Sequence, residues 1–247
     1  MFRKPLILAL LVTGLLLMIS PVLAGGWSVA TLDSLPACVV AEEPLEIGFM
    51  VRQHGVHILD ELKPLIAADH DESGEQFRVE AVADGDGHYT AELVFPVEGQ
   101  WDWRFQAFGP DQPLPVLTVL PAGESCPDES EAAEEDDPAV LVEQGLALFV
   151  AKGCVVCHQH DAAAFDAFES INVGPELTDY QSEPDFLCRW LDNPTALAAK
   201  TMMPDLGLSG TEIESLIMFL NATEDMEAET VTPGWCGDLL ASAVTDH

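Results

Sequence analysis

The stretch Lys152-Gly153-Cys154-Val155-Val156-Cys157-His158-Gln159-His160 decides how the second half of this chain is read. Two thiols stand three positions apart, and a histidine follows the second directly. Part of this pattern suits a dithiol redox pair, and part suits half of a zinc site. A structural zinc site needs four ligands, usually as two pairs, and the chain has no second Cys-x-x-Cys and no His-x-x-x-His. A redox pair belongs near a βαβ pattern, whereas helical signals lie on both sides here.

The whole pattern, Cys-x-x-Cys-His, is the attachment motif of a c-type haem. Two thiols add to the two vinyl groups of the macrocycle, and the adjacent histidine ligates the iron. Cys154, Cys157 and His158 are therefore the candidate anchors of one covalently attached haem c. A second axial ligand is offered downstream by Lys200-Thr201-Met202-Met203-Pro204-Asp205. A thioether opposite histidine raises the reduction potential. Met203, stiffened by Pro204, is the preferred ligand, but spacing does not separate it from Met202. His160 lies too close in sequence to His158 to face the same iron and is expected at the surface.

Helical punctuation surrounds these residues. Asp137 and Pro138 suit an N-cap and first turn. Val142, Leu146, Phe149 and Val150 then share one face, and Gly153 ends the helix. A second helix is expected over 183–192, with Ser182 and Asp185 at its start and Asn193-Pro194 stopping it. The last has a capping box, Ser209 with Glu212, and a Leu208–Ile213 staple. From Glu224 onward little pattern is visible. The order helix, Cys-x-x-Cys-His, Val173-Gly174-Pro175-Glu176-Leu177, helix, Met-Met-Pro, helix resembles class I cytochromes c over about residues 138–222. That resemblance implies an all-α fold in which Gly145 and Phe149 stand at a helix crossing. It also implies that the Pro175 carbonyl accepts the His158 ring N–H.

The first half reads differently. Leu45, Ile47, Phe49 and Val51 alternate with Glu46, Gly48 and Met50. Phe77 to Ala83, Tyr89 to Phe95 and Trp101 to Phe105 alternate likewise, with Asp84-Gly85-Asp86-Gly87 and Glu98-Gly99 as turns. Short strands at this spacing predict an all-β, Ig-like sandwich, its tryptophans in the core. The runs LEIGFMVRQHG and GHYTAELVFPVEGQWDW resemble the YtkA-like family, small exported β-sandwich domains, over about residues 27–120. Met50, His54 and His57 also raise a second reading, because copper accepts thioether and imidazole. The chain would then be a copper-handling or oxidase-assembly factor with a redox haem.

A basic start, an apolar run from Leu6 to Ile19 and the small residues before Gly25 predict a secretory signal over 1–24, cleaved after Ala24. The run falls short of the roughly 20 apolar residues of a membrane span, and no direct membrane insertion is expected after cleavage. Export permits disulfides. Cys38, Cys126, Cys188 and Cys236 remain outside the motif, and four cysteines allow three connectivities. Cys38 with Cys126 would tie the last strand to the first, and Cys188 with Cys236 would pin the tail. The stretch from Ala122 to Pro138 carries eight acidic residues and no basic one, the composition of an extended linker.

The domains expected are thus 25–121 (β sandwich), 122–137 (acidic flexible linker), 138–224 (cytochrome c domain) and 225–247 (tail). The formal net charge is −34 over 247 residues. Such a surface repels phosphate backbones, which argues against nucleic acid, and favours a redox partner with a cationic docking patch. The expected protein is an electron carrier of the periplasm or outer face of the cell membrane and not an enzyme. It would have the sandwich as docking or attachment module and a possible place in a membrane respiratory complex. A gas sensor would need Met203 off the iron, and a dihaem peroxidase would need a second attachment motif.

Overall fold

The computed structural model describes residues 26–127, 137–166, 168–222 and 234–244. The expected signal segment and most of the acidic linker lie outside the described residues.

Eleven strands occupy the first half: β1 (Ser28–Leu32), β2 (Val39–Val40), β3 (Pro44–Gln53), β4 (His57–Ile58), β5 (Leu65–His70), β6 (Gln76–Glu80), β7 (Val82–Gly85), β8 (His88–Val94), β9 (Gly99–Gln106), β10 (Gln112–Pro113) and β11 (Leu117–Leu120). One sheet has the order β1-β3-β8-β7, with β4 on β3. The other runs β2-β11-β9-β5-β6, with β10 on β9. With β1 split from β2, this is the A-B-E-D against G-F-C arrangement of an Ig-like sandwich. Pairing is antiparallel except for β2 with β11, which run parallel.

Alternation explains the core. Ile47, Phe49 and Val51 of β3 meet Tyr89, Ala91 and Leu93 of β8 and Trp101, Trp103 and Phe105 of β9 between the sheets. Trp101 and Trp103 are core residues with satisfied N–H groups, Trp101 donating to the Val97 carbonyl (3.1 Å) and Trp103 to that of Pro115 (2.6 Å), whereas Trp27 lies half-buried outside the core. One expectation is corrected. The run Phe77 to Ala83 is not one strand, because the chain changes sheets between β6 and β7, and Ala83 ends exposed. Alternation marks which face a residue occupies but not where a strand crosses from one sheet to the other.

The second half is helical: α1 (Pro138–Ala151), α2 (Cys154–Cys157), a 3-10 turn (Asp161–Ala163), α3 (Pro184–Asp192), α4 (Pro194–Leu197), α5 (Gly210–Leu220) and α6 (Trp235–Val244). Helix α6 corrects the reading of a patternless tail. Trp235, Leu239 and Leu240 pack on the helical core, a 3–4 spacing that stands in the sequence but is short. Helix α3 starts without a side-chain cap. The Asn221 amide instead brackets Ser182, accepting from its N–H and donating to its carbonyl, both at 3.0 Å. Asn193 stops α3 and caps α4.

The two disulfides are Cys38–Cys126 and Cys188–Cys236. They mark a chain that folds in an oxidising, exported setting. Among the described residues no helix is long and apolar enough to cross a membrane.

Candidate functional site

Helix α1 delivers the Cys-x-x-Cys-His segment. Asp137 caps it by accepting from the Ala139 N–H (2.9 Å), with Pro138 in the first turn. It crosses α5 at Gly145, where a Cβ would stand 2.0 Å from the Ser215 carbonyl oxygen and 2.6 Å from Phe219 Cβ. The glycine's cost in a helix, roughly 1 kcal/mol, is the condition for this approach. Phe149 and Phe219 close the crossing, ring centroids 5.5 Å apart.

The helix ends by turning back at Gly153, whose φ is +80°. A side chain there would be strained and would also meet Val29 Cγ1 (2.6 Å) and the Ala30 carbonyl (2.8 Å) of β1. One turn of helix, α2, then carries both thiols, Cys154 and Cys157, neither of them in a disulfide. Burial, with the neighbouring Cys157 next, pushes the Cys154 thiol up to about 12, while Lys152 opposes it. Burial raises Cys157 as well. Both sulfurs are protonated at neutral pH.

His158 leaves α2 in extended backbone. Residues 171–177 run back alongside, fixed by three backbone hydrogen bonds: Ile171 N–H to the Val156 carbonyl, Gly174 N–H to that of Cys157 and Leu177 N–H to that of Gln159, each 2.9 Å. This return strand brings the Pro175 carbonyl to 2.8 Å from His158 Nδ1. Gly174 lies against the ring, where a Cβ would stand 2.4 Å from Cε1. Burial holds the imidazole below its ordinary pKa, against the pull of the Pro175 carbonyl. The neutral ring therefore carries its proton on Nδ1 toward Pro175 and keeps the lone pair on Nε2. A cavity of about 170 Å³ adjoins His158, walled by Val155, His160, Ala163, Phe165 and Phe168. A larger cavity, about 520 Å³, lies at Phe186, Arg189 and Leu197 and holds none of these donors.

The two methionines separate. Met202 is 67% exposed, while Met203 packs on the same apolar cluster as Cys154. The Met203 sulfur accepts the Trp190 indole N–H at 3.0 Å. Trp190, read from sequence only as part of an apolar helix face, is thus tied to the candidate ligand. His160 stays at the surface but is partly covered. Its ring lies 4.4 Å from that of Phe219 and 5.8 Å from that of Phe149. The aromatic pair at the crossing shields one side of it.

Lys152, just before the motif, was not singled out in the sequence. It is 3% exposed, with Nζ 2.8 Å from the Asp33 carbonyl and 2.7 Å from Glu212 Oε1. In the sandwich, Met50, His54 and His57 have separate surroundings. His54 lies on Trp27 at 4.3 Å, His57 is exposed in β4, and Met50 stands opposite His88 and Thr31. Among the described residues no group of three His, Cys, Asp or Glu side chains is placed to hold a metal ion.

No protein-family model matches the chain. No curated protein matches it in sequence. Among solved structures it is similar to the Lin-41 filamin domain, at 12% identity and TM-score 0.29, over 36% of this chain and 90% of that one. It is also similar to FdeC, an Escherichia coli adhesin, at 22% identity and TM-score 0.29, over 38% of this chain. A putative glycoside hydrolase from Bacteroides vulgatus is 21% identical with TM-score 0.26, over 35% of this chain. The chain spans 31% of the adhesin and 16% of the hydrolase.

Proposed function

We propose that this protein is an exported monohaem c-type cytochrome, similar in its helical half to class I cytochromes c, that carries single electrons between protein partners. The observation that carries this reading is the fixed imaidazole of His158. Its Nδ1 is held by the Pro175 carbonyl, and its ring lies against a glycine. Such a bond sets the tautomer, orients the ring and strengthens its donor nitrogen.

The residues fit the group. Two protonated thiols stand one helical turn apart, Cys154 on an apolar cluster, a neutral imidazole follows them, and a thioether packs on that same cluster. Cys154 and Cys157 would hold the macrocycle, and His158 and Met203 its iron. When bound, the group supplies one-electron exchange at unchanged ligation. The chain's own part is to keep the Nδ1 proton on Pro175, to hold the Met203 sulfur against Trp190 and to keep water from the apolar cluster. With His158 and Met203 both holding the iron, no site would be left open to substrate, which supports a carrier over an enzyme.

The acidic surface supports a partner with a cationic patch, met in the periplasm or at the outer face of the membrane. Attraction of that kind fades with salt, so the transfer rate should fall as ionic strength rises. The identity test is direct. Chain made where haem maturation is active should gain the mass of one haem and a redox-dependent visible spectrum. Cys154→Ala/Cys157→Ala should gain neither covalently. A colourless wild-type chain of unchanged mass rules the reading out.

A further inference from the structure

An acidic linker suggests two bodies on a tether, yet the two halves meet at the site itself. Lys152 Nζ reaches from the end of α1 to the Asp33 carbonyl of the sandwich, and Thr31 Oγ1 of β1 approaches the Lys152 carbonyl at 3.4 Å. Gly153 is pressed on Val29 and Ala30. Behind that contact the Gln112 side chain stiffens β1, donating to the Ala30 carbonyl (2.7 Å) and accepting from its N–H (2.8 Å). Ala151 belongs to the sandwich core, and Leu35 packs against both cores. The two cores are therefore continuous, as independent domains' cores are not.

The same sheet reaches the Cys157 segment. At the turn after β3, a Cβ on Gly55 would stand 3.9 Å from Cys157 Sγ. At the end of β3 the Arg52 guanidinium donates to Thr31 Oγ1 (3.0 Å), the hydroxyl that approaches the Lys152 carbonyl. In a chain with nine Lys and Arg and 43 Asp and Glu, two cations, Arg52 and Lys152, stand on this one seam.

We propose that the β sandwich is a fixed cover over the redox site, seated on the Cys157 segment and shielding its sulfur from solutes. Arg52 holds the cover through Thr31, and Lys152 through the Asp33 carbonyl. The role in redox chemistry rests on the reading above, but the cover does not need the haem to be tested.

The test uses the full chain purified without haem, its disulfides intact. Cys157 alkylation by N-ethylmaleimide is followed by peptide mass spectrometry. In the native protein the rate should be at least about tenfold below that in the urea-unfolded chain. Arg52→Asp, which removes the donor that fixes Thr31, should raise it about tenfold, and Arg52→Lys should keep it near the native rate. Equal rates in native and unfolded chain, or no change in Arg52→Asp, overturn the proposal. If Arg52→Asp does not fold, hydrogen–deuterium exchange of the native protein decides. Residues 28–32 and 152–158 should open together, and independent opening overturns the cover. In matured protein the same variant should bind added imidazole more tightly at the iron. A chain that never acquires haem removes the cytochrome reading and leaves the alkylation result standing.

Discussion

The sandwich and the helical half solve the burial problem in opposite ways. The sandwich is complete in its own side chains. Trp101, Tyr89, Phe49 and Phe95 are each fully buried between the sheets, and their polar atoms, where present, are bonded internally. The helical half has one close crossing, α1 on α5, and otherwise short helices pinned by a disulfide. Both halves leave a few apolar side chains exposed, Val82 and Ile58 in the one and Phe186 and Met202 in the other, but the helical half also carries two unbonded thiols. A half of this kind gains most from something added to it. The candidate site thus lies in the half built from helix crossings and a disulfide, with the sandwich packed against it.

This contrast makes predictions, the largest first. Haem attachment should stabilise the helical half far more than the sandwich. Thermal melts followed in the far ultraviolet should show a shift between haem-free and matured chains that Cys154→Ala/Cys157→Ala abolishes. A uniform shift of sandwich and helices would break the contrast. Next, Lys152→Met removes the buried cation that joins the halves and leaves the Asp33 carbonyl and the Glu212 carboxylate short of a partner. Breaking such a buried pair costs about 3 kcal/mol. Urea unfolding should become less cooperative as the halves separate.

Gly145→Ala sharpens the comparison within the helical half. The added methyl meets backbone, which cannot swing away, so α1 and α5 must part, at about 2 kcal/mol of overpacking. The equivalent substitution at an exposed sandwich glycine with open space, Gly74, tests φ alone and should cost less. Trp190→Phe should leave the fold intact, since Leu187, Leu191 and the disulfide at Cys188 anchor α3. It should lower the reduction potential of matured protein, because the Met203 sulfur loses a hydrogen-bond donor.

The smallest effect belongs to the sandwich. His88 is held between Asp33 (2.7 Å) and Asp84 (2.7 Å). Burial opposes its charge, but the hydrogen bonds to the two carboxylates outweigh burial and raise its pKa. A raised folded pKa contributes stability that is complete below the ordinary value near 6.5. That stability is lost as pH climbs through the raised value. Stability should therefore decline from about pH 6.5 upward, and His88→Gln should flatten this dependence.

Much of this was legible in the sequence because it is local. Alternation in Leu45–Val51, Tyr89–Phe95 and Trp101–Phe105 placed those strands. The Asp137-Pro138 start and the Ser209–Glu212 box placed α1 and α5, since caps act within one turn. Helix α6 was missed because its buried face spans only Trp235 to Leu240 and needs the Cys188–Cys236 bond to hold it. Met203 over Met202 was open in sequence, and only packing separates two adjacent side chains.

By itself the sequence determined a β-sandwich half and a helical half, the exported character and the Cys-x-x-Cys-His segment with its candidate ligands, because periodicity, capping and that spacing are short-range properties. Only the tertiary structure decided that His160 packs on Phe219, that Trp190 bonds the Met203 sulfur, and that Lys152 joins the sandwich to the candidate site. Each of these is a contact between residues far apart in the chain. No local pattern records such a contact, because the partner is chosen by how the sheets and helices pack.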